Sequence, residues 1–194
     1  FHSTNDQAKT LIDVLDFTVS PMGSRMMKRW LALPLKNKLQ IEKRTEVVQY
    51  ILNNPDLTSV LEGNIKLIGD LERLISKVST TRVSPRECNQ LKQALNAIEP
   101  IKEACKNTNI SELKIISEQL NPCKIIADKI KNTITENPPA VVNKGNVIKK
   151  GINSELDELR NLSKSGKDYL QQILERESEK TGIPSLKISF NNVF

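Results

Sequence analysis

The 194-residue sequence predicts a mainly α-helical protein: a multi-helix bundle, a small β-hairpin and one long helix after it. Three observations carry this reading. Helix-start signals recur along the chain. Apolar residues return at three- and four-residue steps. Aromatic residues make up only 4% of the chain against 27% charged, which disfavours a β-sandwich. The 38% hydrophobic content suits a soluble α-rich protein. No run of about 18 apolar residues is present to span a membrane.

Ser20-Pro21 places a capping hydroxyl before a proline at the first helical position, and the helix it opens should stop near Leu33-Pro34. Met22, Met26 and Trp30 share one of its faces, and core packing is the better reading of that stripe than a binding groove. Asn37 can cap a helix over about 38–53, with Ile41, Thr45, Val48 and Leu52 on one side. Asn54-Pro55 restarts the pattern, carried by Leu57, Val60, Leu61, Ile65 and Ile68. Gly69-Asp70 breaks it and caps the next segment. Ser84-Pro85-Arg86-Glu87 is a capping box with proline at the first helical position. From it a helix should run to about Lys106 with Leu91, Leu95, Ile98, Ile101 and Cys105 as its apolar stripe, kinked by Pro100.

Ser111 is read as the cap of a short helix through Leu113, Ile116 and Leu120, and Asn121-Pro122 as the start of another carrying Ile126, Ile130 and Ile134. Pro138-Pro139 ends the helical run. Ala140 to Lys149, with Gly145 in the middle, reads as a β-hairpin. Asn153 or Ser154 then caps a stretch to about Lys180 in which Leu156, Leu159, Leu162, Tyr169, Leu170, Ile173 and Leu174 keep helical spacing. Unbroken, it would be about 40 Å long; Ser163 to Gly166 is the place where it could break. Gly182 and Pro184 terminate it. The chain opens on Phe1 and ends on a strand-like alternation over 185–190, so we expect a segment of a longer polypeptide.

Chemistry is sparse. The only histidine is His2, and Cys88, Cys105 and Cys123 are too widely spaced for a CxxC metal site and odd in number, so reduced cysteines in a cytoplasmic helical protein are expected. Ser165-Gly166-Lys167-Asp168 has the Gly-Lys pair of a phosphate loop but neither its first glycine nor its magnesium-binding hydroxyl. Ser111-Glu112-Leu113-Lys114 and Lys180-Thr181-Gly182 echo penicillin-binding motifs, yet the second sits at a helix end where a strand is required. No enzyme site is expected. The net charge is +6, and the stretch from Lys124 to Lys150 is locally basic. That could neutralise phosphates, although a solvated face is the plainer reading, and no aromatics interleave to stack bases.

Four segments, in order, resemble the MutS family. Asp16-Phe17-Thr18-Val19-Ser20-Pro21-Met22-Gly23-Ser24-Arg25, with Trp30 and Leu33-Pro34 behind it, is the first. Gly69-Asp70-Leu71-Glu72-Arg73 is the second, and Pro138-Pro139, Ile148, Gly151 and Asn153-Ser154-Glu155-Leu156-Asp157-Glu158-Leu159-Arg160 the third. Glu175-Arg176-Glu177, Lys180-Thr181-Gly182-Ile183 and Leu186-Lys187-Ile188 to Asn191 form the fourth. Asn146 and Ile152 depart from the family's second glycine and aromatic in the third region. The resemblance implies a helical core over 1–152 with its hairpin near 140–150, a lever helix over 153–182, and the first strand of a clamp domain over 183–194. It implies a structural role without catalysis: coupling a distant ATPase end to a DNA clamp. No cofactor is expected in this segment; ATP and magnesium belong to the rest of a bacterial, cytoplasmic parent. That parent is expected to bind mismatched double-stranded DNA as a homodimer and to recruit a MutL-type partner. Lys187 and Asn191 are the only residues the resemblance brings near DNA. Two other readings stand beside it: a freestanding helical interaction module, and a weak non-specific nucleic-acid binder.

Overall fold

In the computed structural model, residues 9–187 are described. They form nine α-helices: α1 (Leu11–Leu15), α2 (Pro21–Ala32), α3 (Lys38–Leu52), α4 (Pro55–Ile68), α5 (Leu71–Ser79), α6 (Pro85–Lys106), α7 (Ser111–Gln119), α8 (Lys124–Thr133) and α9 (Ser154–Thr181). Well over half of the described residues are helical, as expected. The chain divides into two compact units, one ending at Val147 and one beginning at Ile148.

The first unit is organised around α6. Its start is fixed by the capping box: the Glu87 N–H donates to Ser84 Oγ at 3.3 Å, and the Ser84 N–H donates to Glu87 Oε2 at 2.8 Å. Leu91, Leu95 and Ile98 are buried with Ala127 of α8, and Ile68, Leu71 and Ile130 close over them. One turn on, Ile101 and Cys105 are buried with Leu113 of α7, covered by Leu57, Leu61 and Ile65 of α4 and by Val47 and Tyr50 of α3. The five residues expected to form the α6 stripe are all buried. Burial raises the pKa of the Cys105 thiol, which behaves as a small apolar side chain.

Other elements depart from expectation. The face of α3 expected to be apolar-inward is the wrong one: Ile41, Val48 and Leu52 are exposed, and Val47 and Tyr50, about a quarter-turn away, face the core. Both stripes repeat at helical spacing, so periodicity alone could not choose between them. The Met and Trp stripe of α2 is not core either, since Met26 and Trp30 are exposed. Ser111 is the first residue of α7 rather than its cap; Ile110 holds that place, and the Ser111 hydroxyl donates to Glu112. Asn54 does not cap α4 with its side chain but donates back to the Tyr50 carbonyl at 2.7 Å. Before α8, Asn121 Oδ1 accepts from the Cys123 N–H at 2.9 Å, and Cys123 adopts the left-handed conformation.

The expected β-hairpin near 140–150 is absent from the described residues. Val142–Lys144 makes one turn of 3-10 helix instead. Val141 and Val142 are exposed and have no apolar layer to cover, and a two-stranded ribbon with neither face buried is marginal in water. Val147, which is buried, accepts with its carbonyl from the Thr135 N–H at 2.9 Å rather than pairing with the valines. Asn146, standing where a glycine was anticipated, adopts positive φ all the same; asparagine is among the few residues that tolerate it.

The second unit is dominated by α9. Asn153 Oδ1 accepts from the Leu156 N–H at 2.8 Å and caps it. The helix runs unbroken through Ser163 to Gly166, 28 residues in all and so about 42 Å long. Gly182 ends it in the left-handed conformation, which costs a residue without a Cβ little. Most of the expected strand over 183–194 lies outside the described residues; 183–187 is turn and coil.

Candidate functional site

Polar side chains that reach far along the sequence form joints between helices and between helix and loop. The principal one ties α2 to α5. It begins in the turn before α2, where the Asp16 carboxylate accepts from the Thr18 N–H at 3.2 Å and from the hydroxyls of Thr18 and Ser24. These bonds hold its pKa below the ordinary value, Ser24 contributing most. Ser20 Oγ accepts from the Gly23 N–H at 3.1 Å. A Cβ on Gly23 would lie 3.2 Å from both Ser20 Oγ and Thr18 Cβ, so glycine lets the capping turn close.

With that turn locked, Arg25 points at the start of α5. Its Nη1 donates to Asp70 Oδ2 at 2.9 Å and its Nη2 to Asp70 Oδ1 at 2.7 Å, a two-pronged grip. The same guanidinium donates from Nε and Nη2 to Glu72 Oε2 at 3.1 and 2.6 Å. Asp70 meanwhile caps α5 by accepting from the Arg73 N–H. One carboxylate therefore both starts α5 and anchors α2. Arg25 holds the Asp70 carboxyl at about 2, below its ordinary 3.8. The first two sequence segments singled out above meet in this joint.

A second joint lies in the unit that begins at Ile148. Asp157 accepts from the Gly151 N–H at 2.6 Å and from Arg160 Nη1 at 3.1 Å, while Arg160 Nη2 donates to the Ile148 carbonyl at 2.9 Å. The Gly151 N–H is the main cause of the lowered Asp157 pKa. This clasp fixes the turn that launches α9. A third joint holds the chain after α8: Asn89 Nδ2 donates to the carbonyls of Thr135 and Glu136 at 2.8 and 2.9 Å, and Arg86 Nε to that of Pro138 at 3.1 Å.

Two features escaped sequence reasoning. Arg44 of α3 lies over the Trp30 ring of α2, 3.8 Å from its centroid. Lys43 pairs with Glu112 of α7 at 2.7 Å and holds that carboxyl at about 2. No spacing rule links residues 43 and 112. The Thr10–Asp13 capping box that starts α1, by contrast, was there to be read.

Of the residues placed near DNA, Lys187 is exposed after the end of α9, and Asn191 lies outside the described residues. In the basic stretch, Lys124 is committed to Glu99 at 2.8 Å. Among the described residues, no group of three His, Cys, Asp or Glu is placed to hold a metal. Gly166-Lys167 lies inside α9, where backbone N–H groups serve the helix and cannot cradle a phosphate.

Charged clasps that tie α2 to α5 and α3 to α7, and that fix the turns before α9 and after α8, define a helical scaffold. The chain belongs to the MutS family: the family model described as MutS domain III matches residues 1–186. It is 56% identical over 192 residues to the DNA mismatch repair protein MutS of Bacteroides thetaiotaomicron, covering 99% of this chain and 22% of that protein. It is 53% identical over 194 residues to the MutS of Christiangramia forsetii, covering 100% of this chain and again 22% of the relative. The chain thus spans about a fifth of the length of the curated relatives it matches. It corresponds to domain III of the MutS family, a segment of the mismatch repair proteins it resembles, and the reading as a freestanding module is not favoured.

Proposed function

We propose that this segment is the mechanical link of a mismatch-recognition ATPase, carrying rearrangements at the nucleotide-binding end to the DNA clamp. In this reading residues 1–152 form the helical core, 153–182 the lever and 183–194 the entry to the clamp. The parent binds mismatched duplex DNA as a homodimer, works in the bacterial cytoplasm and recruits a MutL-type partner. Lys187 and Asn191 lie at the edge of its DNA surface. In this reading ATP and magnesium are held by the parent outside residues 1–194.

The observation that carries this reading is the Arg25–Asp70–Glu72 joint. A mechanical element must keep its helices in fixed relation under load. A planar guanidinium gripping two carboxylates resists sliding where an apolar contact alone would slip. Packed helices so fixed change between discrete arrangements rather than bending softly.

The test is Arg25→Met in the full-length parent. Nucleotide-free affinity for mismatched DNA should stay within about threefold, while the change in DNA binding produced by ATP should fall at least tenfold, about 1.4 kcal/mol of coupling. An unchanged ATP response would overturn the coupling role.

A further inference from the structure

Between α8 and α9 one turn of 3-10 helix is the only helical element. A connection that long with so little structure of its own is uncommon and usually serves a function. Its path is set by hydrogen bonds. Thr135 bridges the two ends of the loop: its N–H donates to the Val147 carbonyl at 2.9 Å, and its hydroxyl donates to the Asn146 carbonyl at 2.9 Å. Asn89 of α6 holds this base, its Nδ2 donating to the carbonyls of Thr135 and Glu136 at 2.8 and 2.9 Å. Arg86, about a turn earlier on α6, donates from Nε to the carbonyl of the buried Pro138. Val147 is the last residue of the first unit. Two side chains, Asn89 and Thr135, thus lead from α6 to the residue at which the chain leaves that unit.

The amide at position 89 comes at a cost. Asn89 is 7% exposed and is the one amide among the buried residues of α6. Its Oδ1 is buried and accepts no hydrogen bond among the described residues. A buried acceptor without a donor carries an uncompensated desolvation cost, which an apolar side chain of similar shape avoids. The Nδ2 end, by contrast, is committed to the loop twice over. A buried amide placed for stability alone has both ends satisfied. Asn89 is satisfied only at the end that positions residues 135 and 136.

We infer that Asn89 is a positioning residue for the coupling proposed above: acting through Thr135, it fixes the point at which the chain leaves the first unit, so that a displacement of α6 is passed to that exit. The inference rests on the coupling reading. Released from α6, a loop with so little regular structure takes up small shifts in its own dihedral angles, and the displacement is lost there. Arg86 braces the same loop at Pro138 from the exposed side, which leaves Asn89 as its buried fixing point.

The test uses the full-length parent and three readouts: urea stability, nucleotide-free affinity for mismatched DNA, and the change in that affinity produced by ATP. Asn89→Leu removes both donated bonds together with the unsatisfied acceptor. It should leave the urea midpoint nearly unmoved and nucleotide-free affinity within about threefold, while the ATP response falls at least about fivefold. Thr135 gives a second cut that leaves the α6 core untouched. Thr135→Val removes the hydroxyl link to Asn146 and should lower the response by about two- to threefold, whereas Thr135→Ser keeps the hydroxyl and should respond as the parent does. A full ATP response in Asn89→Leu overturns the inference. So does a loss that Leu95→Ala reproduces, since that substitution weakens the α6 core without touching the loop and the role of Asn89 would then be structural only. Equal responses in the two Thr135 variants overturn it as well, whether or not Asn89→Leu folds. Arg25→Met, measured alongside, separates the two failures. If it loses the ATP response while the Asn89 and Thr135 variants keep it, this positioning role alone is removed; if all of them keep it, the coupling reading fails too.

Discussion

The two sides of the first unit are built on different principles. Around α6, apolar side chains from α4, α7 and α8 interlock, and the charged contacts are accessory. On the α2–α3 side no side chain is fully buried: Val47 and Tyr50 only rest on the core, and joints add to them, Arg25 on Asp70 and Glu72, Arg44 on Trp30, Lys43 on Glu112. The first arrangement supplies stability, which scales with apolar area removed from water. The second supplies geometry at little cost in burial.

The largest expected effect separates the two sides directly. Leu95→Ala removes a side chain that is 7% exposed from the α6 cluster and should lower unfolding free energy by about 2–5 kcal/mol. Val48→Ala, at a residue 55% exposed, should change it by less than about 0.5 kcal/mol in the 194-residue chain. Urea titrations of both variants check this. Comparable losses would mean that α3 is as much part of the core as α6.

The caps offer a finer cut. Ser84→Ala breaks the reciprocal box that starts α6 and should cost about 1 kcal/mol in global stability. Ser20→Ala removes the equivalent hydroxyl from α2, yet its effect should be local, seen as faster amide exchange within Pro21–Ala32 with the global midpoint nearly unmoved. A shift of the global midpoint by Ser20→Ala as large as that from Ser84→Ala would show that α2 unfolds with the core.

The same division explains which parts of the structure were legible in the sequence. Helix starts that depend on residues three apart, such as Ser20, Asn37, Ser84 and Asn153, could be read because the capping interaction is local. The α6 stripe was legible because one of its faces is strongly apolar and deeply buried. The face of α3 was not, since two apolar stripes compete and only tertiary contact with α4 and α7 selects Val47 and Tyr50. The hairpin failed for a similar reason: local turn chemistry around Gly145 favoured it, but no layer exists for its valines to cover. Arg25, Asp70 and Glu72 were each in motif segments, while their meeting across 45 and 47 residues is a product of the fold.

Acid should take the two sides apart in sequence. The carboxyls of Asp70 and Glu112 have folded values of about 2, against ordinary values of 3.8 and 4.5, because Arg25 and Lys43 favour their charged forms. A depressed folded pKa means that the unfolded state binds protons first as pH falls. The stabilisation these groups give is therefore complete above about pH 4.5 and is lost progressively toward pH 2. Glu87, held at about 2 by Lys77 and by the Ser84 cap, follows the same course at the start of α6. The α6 clusters carry few charges and keep their apolar contacts through this range. Trp30 is the only tryptophan in the chain and sits under Arg44, so its fluorescence reports the α2–α3 contact, while far-ultraviolet circular dichroism reports total helix. On titration from pH 5 to 2 the fluorescence transition should come at higher pH than the loss of helix. Asp70→Asn, which keeps the shape but not the charge, should weaken the joint at neutral pH and reduce the pH dependence of the fluorescence below pH 4. Coincident transitions in the unsubstituted chain would show that the joints and the α6 core unfold as one cooperative unit.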